Sequence, residues 1–298
     1  MKELKVDIFP LIKKLEIALK KGFSHEMMTG SYLSAYKGRG MEFVGFREYT
    51  PHDDALMIDW KASLRTHKPM VRMLEEERDL TIFFLMDVSE SMLFSSHSKL
   101  KCEYAIEFVA AMSFAISAAG DRVGMALFSD RVNEAIKPNH GKTHFYTILK
   151  TLLDPSHYGG KYDLGYALHY LLTLSFLPRD SIIFVLSDFI GMQDGWQKDL
   201  KICGMKYDFT AIIVRDPVDM RLPDIATNIR LKDPFSGEQI LIDNKKAREE
   251  YARESMSQIT RLRKELRKTH SDDILLLTNH EFIEEIFKFF MIRKKKKK

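Results

Sequence analysis

Asp87, Ser89 and Ser91 form a D-x-S-x-S pattern directly behind one apolar run, and Asp188 stands directly behind another. Two carboxylates and two hydroxyls are hard oxygen donors, and together they suit octahedral Mg²⁺ or Mn²⁺ with waters completing the shell. In that arrangement Ser89 and Ser91 coordinate directly, while Asp87 and Asp188 bind through water and keep the ion electrophilic. Between the two runs, Gly159-Gly160-Lys161-Tyr162-Asp163-Leu164 opens a helical stretch. Alone, D-x-S-x-S is a weak signal, because Asp and Ser at strand ends commonly cap the following helix. Its position decides how much weight it bears.

That position follows from the elements around it. Residues 80–86 (LTIFFLM), 122–129, 181–187 and 209–214 are continuous apolar runs, as expected of strands covered on both faces. Helical patterns at 99–119, 143–153, 163–176 and 194–204 separate them. The segment 132–138 is placed to pair antiparallel at an edge, 228–243 reads as a hairpin turning at Pro234 to Gly237, and a charged helix fills 244–269. A strand at 273–278 and a helix at 280–292 close the pattern. Helices alternating with doubly covered strands predict an α/β fold: a mostly parallel, Rossmann-like sheet flanked by helices on both faces. Ligands of such sheets bind beyond the carboxyl ends of the strands. Asp87, the Gly159–Gly160 loop and Asp188 converge there if their strands are neighbours. Residues 1–78 read as an N-terminal extension, with a helix at 8–22, strands at 42–49 and 69–75, and a polar, irregular piece between those strands. The main domain is expected over 79–292, and 293–298 as a basic tail.

The chain has 298 residues and a formal charge of +4, of which six positive charges lie in Arg293 to Lys298. The body is therefore slightly acidic, which argues against a nucleic-acid-binding surface. Two cysteines are too few for a disulfide framework and fit a reducing cytosol. The first residues lack the apolar core of a signal peptide, and no apolar stretch is long enough to span a bilayer. The expected location is cytoplasmic, with the lysine tail available to an anionic membrane surface.

DVSES, GGKYDL and LSDF resemble the three loops of the metal-ion-dependent adhesion site of von Willebrand factor A domains. The stretch from Gly38 to Ser91, GRGMEFVGFREYTPHDDALMIDWKASLRTHKPMVRMLEEERDLTIFFLMDVSES, resembles the signature of the domain-of-unknown-function 58 family, and the C-terminal SGEQILID and DILLLTNHEFIEEIFKFF follow its pattern. The resemblance covers about residues 30 to 292. It implies a von Willebrand A-type fold, a metal site made by Asp87, Ser89, Ser91 and Asp188, and association with a MoxR-type AAA+ ATPase or its client. One ligand departs from the pattern, since Lys161 and Tyr162 stand where adhesion sites have a threonine. The site is then either weakened, or metal-free with the Lys161 ammonium as an internal cation. Asp163 offers an alternative carboxylate or a helix start. Within the upstream signature, Arg47, Glu48, Tyr49, Asp53, Asp54, Asp59, Trp60, Lys61 and Arg65 place charges beside aromatics. They read as a salt-bridged plug holding the extension to the sheet, or as a partner-docking surface with Trp, Tyr and Arg anchors. His52 and Leu56-Met57 depart from the family pattern there.

Other chemistries are weaker. Gly141-Lys142-Thr143 lacks the upstream glycine of a phosphate-binding loop, and neither G-x-S-x-G nor C-x-x-C occurs. The expected function is a non-enzymatic protein-interaction module, an adaptor for an ATPase. The alternative is a Mg²⁺-dependent hydrolase or phosphatase using the Asp87 and Asp188 crevice, for which no general base is visible beside the metal loops.

Overall fold

The computed structural model describes residues 42–50, 53–75, 80–225, 228–232 and 236–296. The helix expected at 8–22, His52, part of the 233–236 turn and the last two lysines lie outside these.

Strands β1 (Glu42–Glu48) and β2 (Met70–Glu75) pair antiparallel as a separate two-stranded sheet. The piece between them, read as irregular, contains helix α1 (Trp60–Thr66). Its signal is a cap and not an apolar stripe: the Asp59 carboxylate accepts from the amides of Lys61 and Ala62. Such a cap contributes about 1 kcal/mol.

The main sheet holds β3 (Thr81–Asp87), β4 (Arg122–Phe128), β5 (Val132–Asn139), β6 (Ile182–Ser187), β7 (Asp208–Arg215) and β10 (Asp272–Leu277) in the order β10-β7-β6-β3-β4-β5. Every pairing is parallel except β4 with β5, the antiparallel edge. Strands β8 (Ile229–Lys232) and β9 (Gln239–Ile242) form the expected separate hairpin. This is the doubly covered α/β sheet that the apolar runs predict.

Helices α2 (Lys101–Ala118), α3 (Lys142–Leu152) and α8 (Phe282–Lys296) cover one face; α4 (Leu164–Thr173), α5 (Trp196–Lys206) and α7 (Asn244–Arg267) cover the other. A short helix, α6 (Pro217–Met220), follows β7. Strand β3 shows the two-sidedness: Ile82, Phe84 and Met86 pack with α2, while Phe83 and Leu85 pack with α4. Phe84 stacks on Phe184 at 5.5 Å between centroids and meets Phe108 edge-on. The charged helix α7 rests on Ile259, Leu262 and Leu266. Helix α8 runs past the expected domain limit at residue 292. Arg293 is a buried part of it, paired with Asp208 and Asp272, so the basic tail begins after Arg293.

The edge pairing depends on Gly124. A Cβ there would lie 2.7 Å from the Pro138 nitrogen and 2.8 Å from the Ile136 oxygen, both backbone atoms of β5. Gly124→Ala must push the edge strand away and is expected to cost about 1–3 kcal/mol. Urea denaturation reads this directly; a loss below about 0.5 kcal/mol would show that the edge yields freely.

Candidate functional site

The sheet order brings the sequence-predicted loops together. β3 lies between β6 and β4, so the chain leaves β3 on one side and returns on the other, opening a crevice at their carboxyl ends. Asp87 ends β3, and Asp188 follows β6. The Gly159–Gly160 loop is laced onto the first of these: Gly159 N–H donates to Val88 O at 2.7 Å, and Glu90 N–H donates to Gly160 O at 2.9 Å. Gly160 has φ +95°, and a Cβ there would meet Ser129 Oγ at 2.9 Å, which makes glycine necessary for this approach.

Asp87, Ser89, Ser91 and Asp188 are all buried. Asp87 Oδ1 accepts from Ser89 N–H at 2.8 Å and Oδ2 from the Ser187 hydroxyl at 2.7 Å. Ser89 and Ser91 present hydroxyls 3.2 Å apart. Burial first, and then the nearby Asp188 charge, push the Asp87 carboxyl up to about 7. Desolvation also acts on Asp188, but the charges of Lys101 and Arg215 outweigh it and hold that carboxyl low.

The cation in the crevice is Lys101, not Lys161. Lys161 is exposed. Lys101, the first residue of α2, is 1% exposed, with Nζ 2.7 Å from Asp188 Oδ2 and 2.8 Å from Asp219 Oδ2. The correction has a geometric cause: Lys101 lies on the buried face of its helix, whereas the loop backbone turns Lys161 outward while burying Tyr162. The Tyr162 hydroxyl lies near Ser187 but completes no hydrogen bond within the described residues. Burial first, then the Asp87 charge, push it well above the usual tyrosine range. Asp163 is a helix start, accepting from Tyr166 N–H.

Sequence reasoning missed Lys101, Arg215, Asp216 and Asp219. A weak signal was present. Lys101 shares a helical face with Ala105, Phe108 and Met112, an apolar stripe where a solvated lysine does not belong. Asp216-Pro217-Val218-Asp219 follows a buried strand just as Asp87 and Asp188 do, with Pro at the first helical position and Asp219 Oδ2 accepting from Asp216 N–H. Asp216 also anchors the 95–97 loop, accepting from the amide of Ser96 at 2.9 Å and from its hydroxyl.

A divalent cation suits the donors that Lys101 leaves free. Asp87, Asp188, Asp216 and Asp219 are four buried carboxylates, and Lys101 and Arg215 are two buried cations. With every group ionised the difference is two negative charges, the amount one divalent ion would balance; without an ion, the proton that Asp87 holds up to about 7 offsets one of them. Among the described residues no lysine or arginine pairs with Asp87, and the Tyr162 hydroxyl, without a hydrogen-bond partner there, lies near it. Among the described residues no three acidic, imidazole or thiol side chains converge as a metal cage, so any such site is a mixed carboxylate and hydroxyl one.

The upstream signature resolves mainly into local structure. Arg47 forms a forked ion pair with Asp53, which holds that carboxyl below its usual range, and Lys68 pairs with Glu48. Asp54 and Asp59 cap the turns at residues 55–57 and 60–66. Tyr49 is half-buried, with its amide donating to Pro69 O, and Lys61 and Arg65 are exposed. These pairs tie the unit to itself, not to the sheet. Trp60 is 69% exposed and Leu64 76%, one helical turn apart on α1.

The full-length relatives are uncharacterised mycobacterial proteins. One from Mycobacterium bovis and one from Mycobacterium tuberculosis are each 26% identical over 288 residues, 95% of this chain and 89% of theirs. Among solved structures, the conserved hypothetical protein BatB from Bacteroides thetaiotaomicron is similar at TM-score 0.47 and 15% identity, covering 72% of this chain and 99% of its own. An aerotolerance-related membrane protein from Bacteroides fragilis is similar at 0.47 and 16%, covering 73% and 99%. The VWA domain of SpRpn10 is similar at 0.34 and 12%, covering 47% of this chain and 76% of its own. Among the described residues no helix is long and apolar enough to cross a membrane. The family profile matches residues 45–261: the chain belongs to the family described as protein of unknown function DUF58.

Proposed function

We propose that the chain is a non-enzymatic protein-interaction module whose recognition face is the carboxyl edge of the main sheet, with a divalent cation held by Asp87, Ser89 and Ser91. The observation that carries this reading is the buried carboxylate excess at Asp87, beside paired hydroxyls and without a cation of its own. When bound, Mg²⁺ or Mn²⁺ supplies an electrophilic position that a partner carboxylate can complete. The chain's own part is to fix the donors. Ser187 and the Ser89 amide orient Asp87, and the Gly159–Gly160 loop braces the backbone on either side of Ser89. A MoxR-type AAA+ ATPase or its client is the partner class that the family resemblance implies, which makes the chain an adaptor in remodelling.

Triad-type hydrolysis at the 95–97 loop is disfavoured by the arrangement of nucleophile and base. Ser96 and His97 lie beside Asp216, but the Ser96 hydroxyl donates to Asp216 itself, and His97 Nδ1 faces both Ser96 and Asp216. At this loop the imidazole does not stand between the serine and the acid, the order a nucleophilic triad requires.

Capture of a purified MoxR-type AAA+ ATPase on immobilised protein tests the proposal. Chelation with EDTA is expected to lower capture at least tenfold, excess Mg²⁺ to restore it, and Asp87→Ala to abolish the restoration. Capture indifferent to EDTA and to Asp87→Ala would remove the cation from recognition. Phosphatase turnover abolished by Asp87→Ala would replace the whole reading with an enzymatic one.

A further inference from the structure

We propose that Lys101 is a tethered cation that competes with the divalent ion for Asp188 and thereby sets the affinity of the crevice. This rests on the reading of the Asp87 side as a cation site. Asp188, unlike Asp87, already carries a cation: Oδ2 is 2.7 Å from Lys101 Nζ, while Oδ1 accepts from Ile190 N–H at 2.9 Å. Asp219 takes a second ammonium proton at 2.8 Å, while its own Oδ2 also fixes Asp216 N–H. The lysine is held from its backbone as well. Its N–H donates to Phe94 O, and its ammonium lies 5.7 Å from the Phe94 ring.

Two consequences follow from Coulomb's law in a desolvated pocket. The ammonium repels a second cation nearby, and it withdraws from that cation the carboxylate that would otherwise help bind it. With Lys101 seated, the divalent ion is left with Asp87 and the two serine hydroxyls. Withdrawal of the lysine frees Asp188 and adds a full negative charge to the donor set. Lys101 is thus an affinity-determining residue and not a ligand, and the crevice exchanges one bound charge for another.

Calorimetric titration with Mg²⁺ and Mn²⁺ tests this on wild type, Lys101→Met, Lys101→Met/Asp219→Asn and Asp87→Asn. Both Lys101 variants are expected to bind at least tenfold more tightly than wild type, and Asp87→Asn to bind more weakly. The double variant removes one carboxylate with the lysine, so it carries the measurement if Lys101→Met fails to fold. In ¹⁵N-lysine spectra of the wild type, Mg²⁺ is expected to move the buried Lys101 ammonium resonance, a readout that needs no variant. Silent wild type with binding in the Lys101 variants supports the inference and removes the cation from wild-type recognition. Wild-type binding that Lys101→Met leaves unchanged, or a Lys101 resonance that does not respond to a bound ion, overturns the inference and leaves the cation reading standing. Binding by none of the proteins overturns both.

Discussion

Lys101→Met is expected to lower folding stability by about 3–5 kcal/mol in chelator-treated buffer near neutral pH. Methionine keeps the length and most of the apolar stem, so the loss reports charge and not packing. It leaves Asp188 and Asp219 facing each other in a desolvated space without the ammonium that joins them. The helix position itself disfavours a lysine. The first turn of α2 presents its positive dipole end, which disfavours a cation by about 0.3–1 kcal/mol. The two carboxylates must outweigh that, which is why removing the cation is costly. The sign with pH follows from Asp188. Its carboxyl is held low in the folded protein, so its stabilising contribution is present above the unfolded pKa and is lost as pH falls through the folded value. The deficit of Lys101→Met should therefore shrink on acidification, as the stranded carboxylates take up protons. Lys101→Met/Asp219→Asn should recover part of it at neutral pH. Urea denaturation at several pH values decides the matter. A loss under about 1 kcal/mol that is flat with pH would mean that the ion triad does not hold these loops.

The same triad marks where the sequence stopped being legible. Continuous apolar runs at β3, β4, β6 and β7 identify doubly covered strands, because such burial leaves no polar face to hide the pattern. Asp87, Ser89, Ser91 and Asp188 are legible as a group because each follows a strand end, and parallel strands carry their ends to one side. Lys101 bonds to residues 87 and 118 positions away, and no local periodicity encodes a partner at that distance. A lysine opening a helix reads as solvated until the sheet order closes over it. Lys161 illustrates the reverse: the resemblance places it where adhesion sites have a ligand, yet the loop buries the neighbouring Tyr162 and leaves Lys161 outside. Helix α1 escaped notice for a different reason. Only Ala62 is buried in it, so its stability comes from the Asp59 cap and not from an amphipathic stripe.

Asp87 yields the second large effect, and its sign is opposite to that of Lys101. Burial and the Asp188 charge raise its folded pKa to about 7, so in chelated buffer the native state binds its proton more tightly than the unfolded chain does. The stability tied to that proton is fully present below the unfolded value, about 3.9, and is lost as pH rises through about 7. Asp188, held low, completes its titration below this window; Asp219, raised by burial, acts in the same direction as Asp87, so the difference between wild type and Asp87→Asn isolates the Asp87 share. Asp87→Asn keeps an acceptor for Ser89 N–H and replaces the ionising oxygen with an amide that can donate to Ser187. At pH 8 without divalent ions it is expected to be more stable than wild type by on the order of 2–4 kcal/mol, with its denaturation midpoint nearly flat over the window where wild type declines. Mg²⁺ should reverse the order, because a bound cation stabilises the ionised carboxylate and gains little from the amide. A wild-type midpoint that does not fall between pH 5 and 8 in EDTA, or an Asp87→Asn profile that declines in parallel with it, would show that Asp87 is compensated within the chain and that the crevice needs no ion. On the proposed reading, the buried charge at the end of β3 would link stability to recognition: the group that weakens the fold in chelated buffer is the one that a cation, and through it a partner, would make favourable.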